Sequence, residues 1–169
     1  VTDYLDKSLH TTYEANGSKY NIRSDSDDDS YTSETYNALG WLLESEASTA
    51  LGATAVRYEY DALGRTIGKS EPFAAGGSPQ GWTHTEYDRY GRPVQVTTAH
   101  GKTIRTSYDG LKTTVDDGSK QITTTQNAMG KAVSQSDPGG TIKYTYFGNG
   151  ALKTANYEGV EQKITQDGW

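Results

Sequence analysis

Apolar and aromatic residues alternate with polar ones through most of this chain. In the stretch Val56 to Asp61, Val56, Tyr58 and Tyr60 share one parity and Arg57, Glu59 and Asp61 the other. That is the two-residue period of a half-buried strand. Asp61-Ala62-Leu63-Gly64 follows and reads as a type I turn. Asp at the first position bonds amides ahead of it, and Gly at the fourth tolerates positive φ. Arg65 to Lys69 is the expected return strand. One such hairpin is marginal in water, so it needs neighbours.

The neighbours are in the sequence. The core Tyr-Asp-x-x-Gly recurs in imperfect form. Tyr36, Asn37 and Gly40 keep all but the acid, and Asn serves the same turn. Tyr87, Asp88, Gly91 and Arg92 make a complete copy. Asn127 and Gly130 keep the turn without the Tyr, while Tyr146 and Gly150 keep both ends around Phe147, with Tyr144 standing where Tyr58 stood. Tyr13 to Gly17 is a weaker copy carried by Asn16-Gly17, a pair that turns well unaided. Tyr108-Asp109-Gly110 begins correctly but lacks the Gly four places after its Tyr. The glycines at 17, 40, 64 and 91 are spaced by 23, 24 and 27 residues, and those at 130 and 150 by 20. The expected units lie near 11–23, 34–46, 56–70, 82–98, 103–116, 121–136 and 141–157, one array over 1–169.

Between the units the chain is less regular. Ser24 to Ser30 is an acidic tract with no apolar anchor, read as a solvated loop; a calcium loop using Asp25 to Asp29 is the sharper alternative. It lacks the Gly and distal Glu of an EF-hand loop. Glu44 to Ala55 reads as an irregular connection, with a helical turn or two as the alternative. Glu71 to Gly81 holds two prolines and three glycines and reads as the longest loop. From Trp82 onward strands alternate with turns at Asp117-Gly118, Asp137 to Gly140 and Glu158-Gly159, and Val160 to Thr165 is the last expected strand. Helical periodicity is absent. The expected fold is all-β: an array of antiparallel β-hairpins forming a twisted, curved or spiral sheet.

The phrase Tyr58-Glu59-Tyr60-Asp61-Ala62-Leu63-Gly64-Arg65 resembles the YD repeat of the RHS (rearrangement hot spot) family. That family includes the C components of Tc toxin complexes and the extracellular YD shells of teneurins. The resemblance covers about Tyr13 to Gly150. It implies a spiral sheet that closes into a shell around a C-terminal toxin, in a secreted or cell-surface bacterial protein. Seven units are too few to enclose a cargo domain alone, so the expected partners are flanking repeats of the same chain and an encapsulated toxin.

Composition adds bounds of its own. Hydrophobic content is 33%, and Tyr outnumbers Phe by 13 to 2. Tyrosine buries a ring while its hydroxyl reaches water or a carbonyl, which suits thin, half-wet sheets. A net charge of −6 argues against a nucleic-acid partner. No apolar run approaches the roughly 20 residues of a membrane-spanning helix. The chain starts at Val1 without an initiator Met, which suggests an excerpt of a longer protein. Zero Cys excludes a disulfide scaffold and a Cys-based zinc site.

Candidate chemistry is sparse. His10, His84 and His100 are far apart, and no nucleophile elbow, phosphate loop or H-E-x-x-H occurs. His84 could meet Asp88 or Asp109 in a folded array, but such groupings are usually surface polar residues. Asp137-Pro138 is similar to an Asp-Pro motif of self-cleaving RHS cores, yet Asp-Pro-Gly-Gly reads here as a turn. The repeated Asp61, Asp88 and Asp109, with Asn37 and Asn127, read as backbone organisers rather than acids or ligands. The Tyr column (Tyr36, Tyr60, Tyr87, Tyr108, Tyr146) is expected to stack between hairpins as the sheet's core; sugar stacking is the competing use. No catalytic residue, cofactor or metal is assigned. The expected function is a non-catalytic structural segment of a toxin-carrying shell, with an extracellular adhesion or carbohydrate-binding module, recognising glycans or a surface receptor, as the alternative.

Overall fold

The computed structural model describes residues 9–26, 30–49 and 51–165. It is all-β, sixteen strands with every hydrogen-bonded pair antiparallel and, among the described residues, no helix. The chain forms two compact units, 1–86 with 97–101, and 87–96 with 102–169.

The first unit carries β1 (Leu9–Asn16), β2 (Lys19–Ser26), β3 (Tyr31–Asn37), β4 (Leu42–Thr49), β5 (Gly52–Tyr60), β6 (Thr66–Ser70), β7 (Phe73–Ala74) and β8 (Trp82–Tyr87). Strands β1 to β6 neighbour one another in chain order, β8 follows β6, and β7 pairs with β5. This is the meander expected when each hairpin hands the chain to the next.

Three expectations need correction here. The stretch Glu44 to Ala55 is not irregular: β4 and β5 pair from Glu44↔Arg57 to Thr49↔Gly52. Its Ser, Thr and Glu content fits a sheet with polar residues on one face, and Gly52 turns the corner at φ 118°. The acidic loop is shorter than expected. Ser24, Asp25 and Ser26 belong to β2, and Asp25 pairs with Tyr31 across β3. The Arg23 guanidinium binds the Asp25 carboxylate at 2.9 Å, so that carboxylate is already engaged; Asp27 to Asp29 lie outside the described residues. The Glu71–Gly81 loop folds back, as Phe73 pairs with Ala55 and Ala74 with Thr54. Ala55 and Phe73 are the buried hydrophobic residues of the described chain, at 1% and 8% exposure. The proline-rich loop thus supplies core that its composition hides.

The second unit carries β9 (Pro93–Thr97), β10 (Thr103–Asp109), β11 (Lys112–Asp116), β12 (Gln121–Gln126), β13 (Ala132–Asp137), β14 (Gly140–Tyr146), β15 (Leu152–Tyr157) and β16 (Val160–Lys163), neighbours in chain order. Its cross-strand rows show two chemistries. Val115 faces Ile122 on one side of the sheet, while Thr114–Thr123 and Thr145–Thr154 pair through hydroxyls at 3.1 and 2.7 Å on the other. Most strand residues in both units are half-buried. In such thin sheets stability rests on cross-strand pairs and on the turns that set register.

Candidate functional site

The recurring turn is the feature most elaborately built. At Asp61, the Gly64 amide donates to the Asp61 carbonyl and the Asp61 amide to the Arg65 carbonyl, both at 3.0 Å. Gly64 sits at φ 79°, and the ladder shifts register between Glu59 and Tyr60. This is a type I turn followed by a left-handed glycine in a bulge, the three-residue hairpin loop. The side chain then locks it. Asp61 Oδ1 accepts from the amides of Leu63 (2.9 Å) and Arg65 (3.0 Å), and Oδ2 from Arg65 Nε (2.6 Å).

Asp88 repeats the arrangement with Tyr90, Arg92 and Gly91. Asn37 and Asn127 keep the amide contacts, to Leu39 and Trp41 and to Met129 and Lys131. Gly40, Gly91, Gly130 and Gly150 all have φ between 75° and 83°. At the last copy Phe147 cannot accept, and Asn149 Oδ1 bonds the Ala151 amide instead, at 3.1 Å. The turn survives by moving the acceptor two residues on.

The ion pair within the turn was missed from sequence. Arg follows the glycine where the first residue is a carboxylate (Asp61–Arg65, Asp88–Arg92), whereas Trp41 and Lys131 follow where it is Asn. Partial burial pushes the Asp61 and Asp88 carboxyls up, but the Arg guanidinium and the turn amides outweigh it and hold both below the ordinary carboxylate value.

The tyrosines link one hairpin to the next. Tyr60 Oη donates to the Leu42 carbonyl at 2.8 Å, Tyr108 Oη to Pro93 at 3.0 Å and Tyr146 Oη to Ala132 at 2.7 Å. In each case the acceptor lies two residues past the preceding unit's glycine (Gly40, Gly91, Gly130). Nothing in the alternation of side chains pointed to those carbonyls. Tyr36 differs: its ring stacks on Tyr20 at 5.1 Å, and its hydroxyl donates to Glu34 at 2.6 Å. That bond, with burial and the Glu34 charge, pushes Tyr36 up to about 12.

Simple ring-on-ring stacking does not describe the column. Tyr60 leans on Trp41 at 5.4 Å, and the Arg92 guanidinium lies 4.1 Å from the Tyr108 ring. Tyr58 and Tyr144 are half-buried opposite Lys69 and Ala155, and Tyr87 ends β8.

Asp109 departs from the pattern. It pairs with Lys112 as the last residue of β10, and Gly110 at φ 55° opens a two-residue turn. Without a glycine four places after Tyr108, the chain closes one residue sooner, pairing Tyr108 with Thr113 where Tyr60 pairs with Thr66. Pro138-Gly139 is the two-residue connection between Asp137 and Gly140, with the Gly139 amide on Asp137 Oδ1 at 2.8 Å. His84 is exposed and stacks beside Trp82. Among the described residues no cluster of three or more His, Asp or Glu is placed to hold a metal ion.

No protein-family model matches the chain, and no curated protein is significantly similar to it in sequence. Solved structures are similar in fold. A crystal structure of TcdB2-TccC3 matches 87% of this chain at a TM-score of 0.60 and 17% identity. TcdB2-TccC3 without its hypervariable C-terminal region matches 88% at 0.61 and 15%. The chain spans about a tenth of the length of those proteins, 10% and 9%. At this identity the likeness is one of fold: this chain has the fold of a stretch of the TcdB2-TccC3 chains.

Proposed function

We propose that this chain is a structural, non-catalytic segment of an RHS/YD-repeat shell that encloses or carries a C-terminal toxin or effector in a secreted or surface-exposed bacterial protein. The observation that carries the reading is the tyrosine link to the preceding hairpin, made three times by the same rule. A module so joined extends by adding copies, and the chemistry it repeats serves register. The fold likeness to TcdB2-TccC3 supports the same reading. Flanking repeats of the parent chain would cover the outermost strands, which otherwise present open hydrogen-bonding edges.

Limited proteolysis of the parent protein tests the enclosure. The segment following the repeats should resist protease while the array is intact, and become sensitive when Gly64→Ala and Gly91→Ala together weaken two turns. Equal sensitivity in both proteins would refute enclosure.

A further inference from the structure

The polar face of the first unit carries a feature that scaffolding leaves unused. Directly paired residues of a sheet share a face, so Glu44, Arg57 and Ser70 lie in one row, which continues to Trp82. Glu59, Gly68 and His84 make the next row. Trp82 and His84 stack nearly parallel, at 6.2 Å and 18°, and the Trp82 indole is the aromatic platform of this face. Gly68 gives up its side chain, and the Glu59 carboxylate lies over it: a Cβ there would stand 2.8 Å from Glu59 Oε2. Beside the platform is a hollow of about 370 Å³ lined by Trp82, Glu59, Glu44, Arg57, Lys19 and Thr35, among others. That volume lies at the small end of ligand sites, about 300–1,000 Å³.

The lining chemistry narrows the ligand. Glu44 and Arg57 neutralise each other in an ion pair. The Glu59 carboxylate and the Lys19 ammonium make no side-chain hydrogen bond or ion pair among the described residues, and they cancel in charge. The hollow is therefore neutral overall, with one flat aromatic wall and both a strong acceptor and a strong donor free. A neutral polyol with one apolar face fits that description: the C–H face of a pyranose lies on an indole while its hydroxyls reach a carboxylate and an ammonium.

We propose that this hollow binds one pyranose unit of a neutral glycan, with Trp82 as platform, Glu59 accepting from sugar hydroxyls and Lys19 donating to them. The inference is independent of the shell reading, since a sugar could dock here on a closed shell or an open array.

Saturation-transfer NMR tests it on the whole chain. The probes are methyl β-galactopyranoside, methyl β-glucopyranoside and methyl N-acetyl-β-glucosaminide, with Nα-acetylarginine methylamide as a cationic control. At least one pyranoside should receive saturation, strongest on the hydrogens of one ring face. Glu59→Gln removes the charged acceptor and should weaken binding about tenfold. Gly68→Ala should weaken it comparably by displacing the carboxylate. Gly68 is not in the left-handed region, so this variant keeps its backbone and remains interpretable if Trp82→Ala fails to fold. Capture on beads bearing the active glycoside, competed by the free one, assigns the site to tethered glycans; binding of the free sugar alone assigns it to soluble ones. Transfer to none of the three pyranosides, transfer to the arginine probe alone, or sugar binding unchanged in both variants overturns the proposal.

Discussion

The Tyr60 hydroxyl donates to the Leu42 carbonyl at 2.8 Å, eighteen residues back along the chain. The main-chain ladder between β4 and β5 ends at Glu44↔Arg57, and the bulge before Tyr36 displaces the start of β4. The phenol supplies a donor where the backbone has stopped supplying one. The same holds at β13 and β14, whose ladder ends at Ser134↔Lys143 while Tyr146 reaches the Ala132 carbonyl.

Tyr60→Phe therefore removes a hydrogen bond and little packing. It should cost about 1 kcal/mol in urea unfolding, and Tyr146→Phe about the same. Amide exchange should quicken at the start of β4 in the first variant and at the start of β13 in the second. Unchanged exchange in both would show that the hydroxyls do not hold the strand ends.

The glycines of the turns are not equivalent. Gly64→Ala places a left-handed alanine, costing about 1–2 kcal/mol, and its Cβ would also stand 2.9 Å from Trp41 Cζ2. Gly130 has the same backbone, φ 75°, with nothing near a new Cβ. Gly64→Ala should be the more damaging of the two, and Trp41→Ala should bring its cost down to that of Gly130→Ala. Thermal unfolding of the wild type, the three single variants and the Trp41→Ala/Gly64→Ala double variant measures this directly.

The turn carboxylates set an acid limit. Both Asp61 and Asp88 have folded values below the unfolded one. Their contribution is thus fully present above about pH 4, the ordinary carboxylate value, and is lost as pH falls through the depressed folded values. Asp61→Asn with Asp88→Asn copies the native turns at Asn37 and Asn127 but abolishes the Arg pairs. The double variant should melt below the wild type at pH 7, and the two melting curves should converge as the solution is acidified. A gap that stays constant down to pH 2 would exclude these carboxylates as its source.

Tyr36 sets a limit on the alkaline side. Its folded value of about 12 exceeds the ordinary tyrosine value of 10.0, so its contribution is complete below pH 10 and falls away as pH rises toward 12. Absorbance titration should show a phenol ionising late, absent from Tyr36→Phe. Glu34→Gln should return that phenol toward the ordinary value.

The all-β meander was legible because alternation and turn residues agree from Val56 to Ser70 and from Trp82 to Tyr157: each strand's parity there is marked by Tyr, Val, Ile or Thr, and each corner by Asn, Asp or Gly. Three things were not legible. Phe73 sits among prolines and glycines, and the pairing that buries it is long-range. Glu44 to Ala55 is rich in Ala, Ser and Glu, whose local preferences do not distinguish strand from loop. The tyrosine acceptors are backbone carbonyls of Leu42, Pro93 and Ala132, which side-chain chemistry does not mark. The Asp–Arg pairing was readable in principle, because Arg follows the glycine only in the turns that begin with Asp.

Electron microscopy of the full-length parent protein, with residues 9–165 located in the map, tests the scaffold account most directly. The account predicts a curved wall of hairpins, continuous with further repeats on both sides and with density enclosed. An open rod or a solid stack projecting from a surface, with no interior space, would contradict it.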